Sequence, residues 1–124
     1  MRVLLILIFC TLLSACDWSS KPIPSAREAR ELTVVTRNGP TTYYENAQGQ
    51  YAGIEHDLVT LFAKELGFKV NFVVTNQFQD ILPKVASRQA HFAAAGITIT
   101  DDRKMRLLFS TAYQSVQQQV VYNI

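Results

Sequence analysis

The chain has 124 residues, which is enough for one domain at most. Its 12 basic and 10 acidic residues are interspersed, which excludes a strongly basic surface for nucleic acid and a charged interaction tail. Both cysteines, Cys10 and Cys16, lie near the N-terminus, so the predicted folded part has no disulfide.

The N-terminal residues have the pattern of an export signal. An apolar run over 3–13 is shorter than the roughly 20 residues that span a bilayer, and it matches the apolar region of a signal peptide. The tetrad Leu13-Ser14-Ala15-Cys16 that follows resembles the bacterial lipobox, whose cysteine is acylated. We predict a signal peptide over 1–15 and a lipid anchor on Cys16, which would place the protein in the periplasm on a bacterial membrane, outer or inner. A plain signal peptide with an incidental cysteine is the alternative.

The next segments alternate between linker and strand patterns. Residues 16–30 include serines and a Lys-Pro-Ile-Pro run and are predicted to form a tether. The β-branched run over 32–36 predicts a strand. The polar stretch over 41–50 predicts a loop that includes a short hairpin.

The clearest helix pattern covers 54–66. Its apolar residues recur at helical spacing and mark one predicted face; they are Ile54, Leu58, Leu61, Phe62 and Leu66. Gly67 follows the last of them, where a left-handed cap is expected. A strand is predicted over 68–75. A second helix should begin near Phe78 or Gln79, because Pro83 is tolerated only in a first turn.

The remaining segments continue the alternation. A short apolar strand over 91–95 ends at Gly96, a helix should begin after Thr100, and another strand is predicted over 118–122. The order βαβαβαβ predicts an α/β fold with a mostly parallel sheet. The chain ends at Ile124 inside the last strand pattern, and we therefore expect the domain over 31–124 to be truncated at its C-terminus.

The segment after Gly96 has the residue types of a carboxylate site. A glycine at the strand end lets a ligand approach the backbone, Thr98 offers a hydroxyl, and Arg103 offers a planar fork with two donors. Ligands of open α/β sheets bind beyond the carboxyl ends of the strands. The residues alone leave a second interpretation open, in which Arg103 is a surface residue paired with Asp102.

The same segment, with Phe109-Ser110 and Tyr113, resembles the signature of the family 3 extracellular solute-binding proteins. The hexapeptide over 53–58 is similar to the Gly-Phe-Asp-x-Asp-Leu segment of that family. The resemblance covers about 32–122 and implies the first lobe of a periplasmic binding protein type II fold, with flanking helices on a mostly parallel sheet. The second lobe would lie outside this chain.

The family resemblance also implies site residues. In the family the equivalents of the Gly96 amide, Thr98 and Arg103 bind the carboxylate of the ligand, and an aromatic residue matched by Phe78 packs on it. Phe78 could equally be a hydrophobic staple for the helix that follows it.

A narrower resemblance concerns the segments over 36–44 and 53–58. They are similar to the sensory domain of the membrane-bound lytic murein transglycosylase F family. This implies a small carboxylate-bearing ligand, either an amino acid or a muropeptide, that regulates a peptidoglycan-cleaving domain absent from this chain. The alternative is a lipoprotein receptor that delivers amino acids to an ABC transporter.

No catalytic or metal site is predicted within the chain. Asp101 and Asp102 are adjacent and point about 100° apart on a helix, so they cannot flank one glycosidic bond. No glutamate is followed by serine, the pair that goose-type lytic transglycosylases use. His56 and His91 lack partners at metal-ligand spacing, and His91 is interpreted as a helix–strand junction residue. We predict no cofactor.

Overall fold

The computed structural model describes residues 21–117 and 119–123. The predicted signal peptide and Cys16 lie outside the described residues. The strands are β1 (Glu31–Thr36), β2 (Tyr44–Glu45), β3 (Tyr51–Ala52), β4 (Lys69–Val74) and β5 (Phe92–Ala93). The helices are α1 (Ala26–Ala29), α2 (Ile54–Leu66), α3 (Ile81–Ala86) and α4 (Asp101–Lys104), and a 3₁₀ turn over Phe78–Asp80 precedes α3.

The main sheet is parallel, with β1 at its centre. Its strand order is β4-β1-β5, and β1 is paired with β4 over its whole length, from Glu31 with Lys69 to Thr36 with Val74. Residues 32–36 are all buried, as expected for a parallel strand that is covered on both faces. The α/β class with a parallel sheet and flanking helices is therefore confirmed.

The core lies on both faces of β1. On one face Leu32 and Val34 pack against Val59 and Ala63 of α2. On the other face Val35 packs in a cluster with three buried apolar residues, namely Ile81, Ala90 and Ala95. Ile81 belongs to α3, so α2 and α3 contribute to the core on opposite faces of the sheet.

The bounds predicted for α2 are confirmed, but its predicted apolar face is not the buried one. Gly67 caps the helix with a φ of 67°. The buried residues are Glu55, Val59 and Ala63, whereas the five predicted residues are 43–60% exposed. Of the buried three, Val59 and Ala63 pack against Leu32 and Val34 of β1. The periodicity identified which residues share a face, but not which face contacts β1.

Two further local predictions are confirmed. β2 and β3 form an antiparallel hairpin, with Tyr44 opposite Ala52. Helical structure begins at Phe78, as predicted, but as a 3₁₀ turn, and α3 itself begins at Ile81. Pro83 is the third residue of α3, where the missing N–H has no helical partner to lose.

The segment before β1 is docked on the domain. Ser25 and Glu28 form a reciprocal capping box at the start of α1. The backbone N–H of Ile23 donates to the Arg88 carbonyl at 2.9 Å. His91 Nδ1 accepts from the Thr33 amide at 2.8 Å, so its Nε2 carries the proton and donates to the carbonyl of Pro24 at 3.0 Å. Within the predicted tether over 16–30, the part from Ile23 onward therefore contacts the domain.

The segment after Ala95 contains no strand within the described residues. The strand predicted over 118–122 is wrong for residues 119–122, which have no regular structure. Val120 and Val121 are 90% and 91% exposed, respectively, and no strand of the described chain pairs with them. A β-branched run forms a strand only beside a partner. No helix in the described ranges is long and apolar enough to cross a membrane.

Candidate functional site

The candidate site lies where β1 and β5 end. Arg37 directly follows β1, and Gly96 lies three residues beyond β5. Parallel strands bring their carboxyl ends to the same edge of the sheet. Gly96 has a φ of 66°, and a Cβ at this position would lie 3.5 Å from Nη2 of Arg37. Such a distance is an ordinary van der Waals contact, so glycine is favoured here by its left-handed conformation.

The backbone amide of Gly96 is hydrogen-bonded to a buried carboxylate. The N–H of Gly96 donates to both side-chain oxygens of Glu55, at 3.0 and 2.8 Å. The hydroxyl of Tyr113 donates to the same carboxylate. Glu55 is only 6% exposed, and these bonds offset the cost of burying its charge. A ligand carboxylate would have to compete with Glu55 for the Gly96 amide.

The contact with Glu55 changes the chemistry of Tyr113. Burial, the hydrogen bond to the carboxylate and the charge of that carboxylate raise the pKa of Tyr113 well above its ordinary value. The phenol therefore stays protonated and keeps donating to Glu55. Sequence reasoning missed Glu55, although its spacing from Val59 and Ala63 places an acid on the buried face of α2.

Arg103 is oriented by the turn that precedes it. The Thr100 hydroxyl oxygen accepts from the backbone N–H of Arg103 at 3.4 Å and caps α4. Nη1 of Arg103 donates to the carbonyl oxygen of Thr98 at 2.8 Å. The guanidinium is thus anchored at one nitrogen, and its other donors remain for a ligand. The Thr98 hydroxyl forms no hydrogen bond within the described residues.

The acids beside Arg103 pair with other cations. Asp101 lies 3.4 Å from Lys104, and Asp102 lies 3.8 Å from Arg106. The interpretation of Arg103 as a surface partner of Asp102 is therefore not what the structure shows. All four of these paired side chains are at least 57% exposed, so the pairs are weak surface contacts.

Phe78 lies at the same site as Arg103. The Cζ atom of Arg103 is 5.6 Å from the centroid of the Phe78 ring, and the Cζ atom of Arg37 is 5.5 Å from it. Both are at cation–π distance. The ring is 40% exposed, which leaves part of it open to a ligand. The structure thus brings together Phe78, Thr98 and Arg103, and it adds Arg37.

Arg37 is held by residues that follow two different strands, Ala95 after β5 and Thr42 after β1. Its Nε donates to the carbonyl oxygen of Ala95 at 3.1 Å. Its own carbonyl oxygen accepts from the Thr42 hydroxyl at 2.7 Å. Sequence reasoning did not select Arg37 as a site residue; the available signal was its place directly after a predicted strand that ends at the same edge.

The start of α2 fixes the loop that follows β1. The backbone N–H groups of Glu55 and His56 donate to the carbonyls of Thr41 and Thr42 at 3.3 and 3.0 Å. Gly53 has a φ of 135°, and a Cβ there would lie 2.4 Å from the Thr42 carbonyl oxygen. The loop can approach the helix only because this residue is glycine.

The domain has two further surface features to consider, namely its cavities and its potential metal ligands. A cavity of about 480 Å³ lies at the β2–β3 hairpin, lined mainly by aromatic side chains such as Tyr43 and Phe72. A smaller one, of about 230 Å³, includes Arg103 in its lining. In residues 21–117 and 119–123, no three His, Cys, Asp or Glu side chains cluster closely enough to share a metal ion.

Comparison with known proteins gives a matching family and similar individual proteins. Residues 32–123 match the model of a family described as bacterial extracellular solute-binding proteins, family 3. The chain is 46% identical to the membrane-bound lytic murein transglycosylase F of Methylobacillus flagellatus, across 99% of this chain and 26% of that protein. It is 40% identical to the protein of the same name from Nitrosospira multiformis, across 98% of this chain and 26% of that protein. The chain thus spans about a quarter of the length of these curated relatives.

A solved structure supports the same fold. The crystal structure of the ancestral amino acid-binding protein AncCDT-1, a precursor of cyclohexadienyl dehydratase, is similar to this chain with a TM-score of 0.66. The two are 33% identical, and the match covers 72% of this chain and 39% of that one.

Proposed function

The chain belongs to family 3 of the bacterial extracellular solute-binding proteins, and from this premise we propose that it is the ligand-sensing lobe of a lytic murein transglycosylase F-like protein. The observation that carries the proposal is the 46% identity over 99% of the chain. In this proposal the lobe acts in peptidoglycan turnover by binding a small ligand. Cleavage of peptidoglycan belongs to the part of the full-length relatives that the match does not cover.

The proposed ligand carries a carboxylate and is an amino acid or a muropeptide. Arg103 binds the carboxylate through the donors that its contact with Thr98 leaves free, and the Thr98 hydroxyl adds a further bond. The exposed part of the Phe78 ring packs on the apolar part of the ligand. Gly96 contributes close approach to the backbone, because its amide already donates to Glu55. The likeness to an amino acid-binding protein supports this ligand class.

We also propose a lipid anchor on Cys16 that holds the lobe at a membrane, facing the periplasm. The lipobox-like tetrad before Cys16 supports this proposal, as does the membrane-bound description in the names of the relatives. Radiolabelled palmitate should enter the full chain in bacterial cells, and Cys16→Ala should abolish the labelling. Undiminished labelling of this variant would refute the anchor.

A transport receptor is the less favoured alternative. It is supported by likeness to solved amino acid-binding proteins at 33% and 34% identity, whereas relatives at 46% and 40% identity are transglycosylases by name.

The carboxylate site is tested by a matched pair of variants on α4. We expect Arg103→Ala to weaken the binding of L-glutamine or of a disaccharide tetrapeptide at least about tenfold in calorimetry, because it removes charge-assisted hydrogen bonds. Asp102→Ala should change the same affinity by less than about threefold, since its charge pairs with Arg106 at the surface. Equal losses in the two variants would refute the role of Arg103, and binding of neither probe by the unmutated chain would refute the site.

A further inference from the structure

Two guanidinium groups converge on one aromatic ring at the edge of the sheet. The Cζ atoms of Arg37 and Arg103 lie 5.5 and 5.6 Å from the centroid of Phe78. The two positive charges are therefore no farther apart than the sum of these distances. Each is fixed by a hydrogen bond to the backbone, Arg37 to the Ala95 carbonyl and Arg103 to the Thr98 carbonyl.

The acids nearby do not neutralise this pair. Asp101 and Asp102 are engaged with Lys104 and Arg106, as described above. Glu55 is buried and accepts from the Gly96 amide and the Tyr113 hydroxyl. Within the described residues, neither Arg37 nor Arg103 lies within ion-pair distance of a carboxylate. Two cations that share one ring, neither of them paired with a carboxylate of the described residues, offer two binding points to an anionic ligand.

The geometry points to a ligand with two carboxylates, one bound by Arg103 and the other by Arg37. This inference rests on the proposed function and narrows its ligand class. Arg37 uses Nε to donate to the carbonyl of Ala95, so its Nη1 and Nη2 groups can donate to a ligand. Two parallel N–H groups match a carboxylate in a bidentate pair. The carbon chain between the two carboxylates would lie over the exposed part of the Phe78 ring. Arg37 is thus the residue that determines specificity for a dianion.

The test uses L-glutamate and L-glutamine, which differ only in the second carboxylate. We expect the purified chain to bind L-glutamate at least about tenfold more tightly, because a charge-assisted pair is stronger than a neutral hydrogen bond. Arg37→Gln should reduce this preference to within about twofold, because it weakens the binding of L-glutamate more than that of L-glutamine. Arg37→Lys should retain part of the preference, since it keeps the charge and loses the fork.

Two control variants separate the outcomes. Arg27→Gln removes an equal charge from α1, where the side chain is exposed, and should leave the preference unchanged. Arg103→Gln should weaken both probes. A preference that Arg37→Gln does not alter, or that Arg27→Gln alters equally, would overturn the assignment of Arg37. If the chain bound both amino acids equally and Arg103→Gln lost both, the dianion inference would be refuted and the proposed function would stand. Binding of neither amino acid by the unmutated chain would also refute the dianion inference. Melting temperatures would confirm that each variant is folded.

Discussion

The part of the domain from β1 to Ala95 differs from the segment that follows it. Every buried residue in the described part of the chain lies at or before Ala95. The segment from Gly96 onward contains Thr98 and Arg103, and its side chains are exposed or only half-buried. The buried core thus lies in the first part, which we name the scaffold. Two of the proposed ligand-binding residues lie in the second part, the site segment. A site that holds a ligand beyond the strand ends needs exposed groups on a rigid support.

Glu55 joins these two parts. It belongs to the buried face of α2 in the scaffold, and it accepts from Gly96 and Tyr113 of the site segment. We therefore expect variants of the buried scaffold residues to change the free energy of unfolding, and variants of Thr98 and Arg103 to change ligand affinity. Variants at Glu55 should change both.

The largest expected effect is that of Gly53→Ala in the scaffold. The new Cβ would lie 2.4 Å from the carbonyl oxygen of Thr42, at a φ of 135°, so the free energy of unfolding should fall by about 3 kcal/mol. Gly49→Ala is the matched control. Gly49 also has a positive φ, of 75°, but the nearest contact to a Cβ is the Glu45 side chain at 3.6 Å, and the loss should be about 1 kcal/mol. Equal losses in urea unfolding would contradict the close approach at Gly53.

The second-largest effect is expected from removing the Glu55 carboxylate, which links the scaffold to the site segment. Glu55→Ala leaves the Gly96 amide without its acceptor and should lower the free energy of unfolding by about 2 kcal/mol. Hydrogen exchange of the Gly96 amide should accelerate in the same variant. Glu55→Gln keeps one oxygen acceptor for Gly96 and should retain most of the protection. An unchanged exchange rate in Glu55→Ala would show that the carboxylate does not hold the turn.

The sequence allowed the scaffold to be predicted better than the site. The strand over 32–36 and the helix over 54–66 were predicted correctly because their patterns are local and repeat within one element. The buried face of α2 was predicted wrongly, because which face is buried depends on how the side chains of the helix pack on a sheet formed by residues distant in the sequence. The strand over 118–122 failed because strand pairing needs a partner that no local pattern supplies.

The same distinction applies to individual site residues. Thr98 and Arg103 lie five residues apart in the sequence, and both were predicted as site residues from their residue types and from a family signature. Arg37 and Glu55 were missed, because their contacts are with Ala95 and Gly96, which are 58 and 41 residues away in the sequence. Contacts over such separations are fixed by the sheet and cannot be derived from spacing along the chain.

A smaller effect is expected from Tyr113→Phe, which removes the hydrogen bond to Glu55 from the site-segment side. Tyr113 is 55% exposed, so the loss at neutral pH should be about 1 kcal/mol or less. The pKa of Tyr113 is raised in the folded state above the ordinary 10.0. The folded state therefore binds the proton more tightly, and this contribution is complete below pH 10.0 and is lost as the pH rises above it toward the raised pKa.

Urea unfolding at about pH 9 and about pH 11 measures this contribution. The free energy of unfolding should fall between these pH values by a larger amount in the unmutated chain than in Tyr113→Phe. Other tyrosines and lysines titrate alike in both proteins, so the difference isolates Tyr113. The same pH dependence in the two proteins would indicate that Tyr113 is not coupled to folding through Glu55.

The smallest effect on stability is expected at the cap of α4. Thr100→Ala removes an acceptor at 3.4 Å from the Arg103 amide, in a helix without buried residues. The free energy of global unfolding should therefore change by less than about 0.5 kcal/mol. Ligand affinity should fall about threefold, because Arg103 loses its orientation. Ser25→Ala removes the same kind of cap from α1, which is docked on the scaffold, and it should lower stability more and leave affinity unchanged. If the two variants had the same effects, the separation of stability and binding between scaffold and site segment would not hold at the level of single caps.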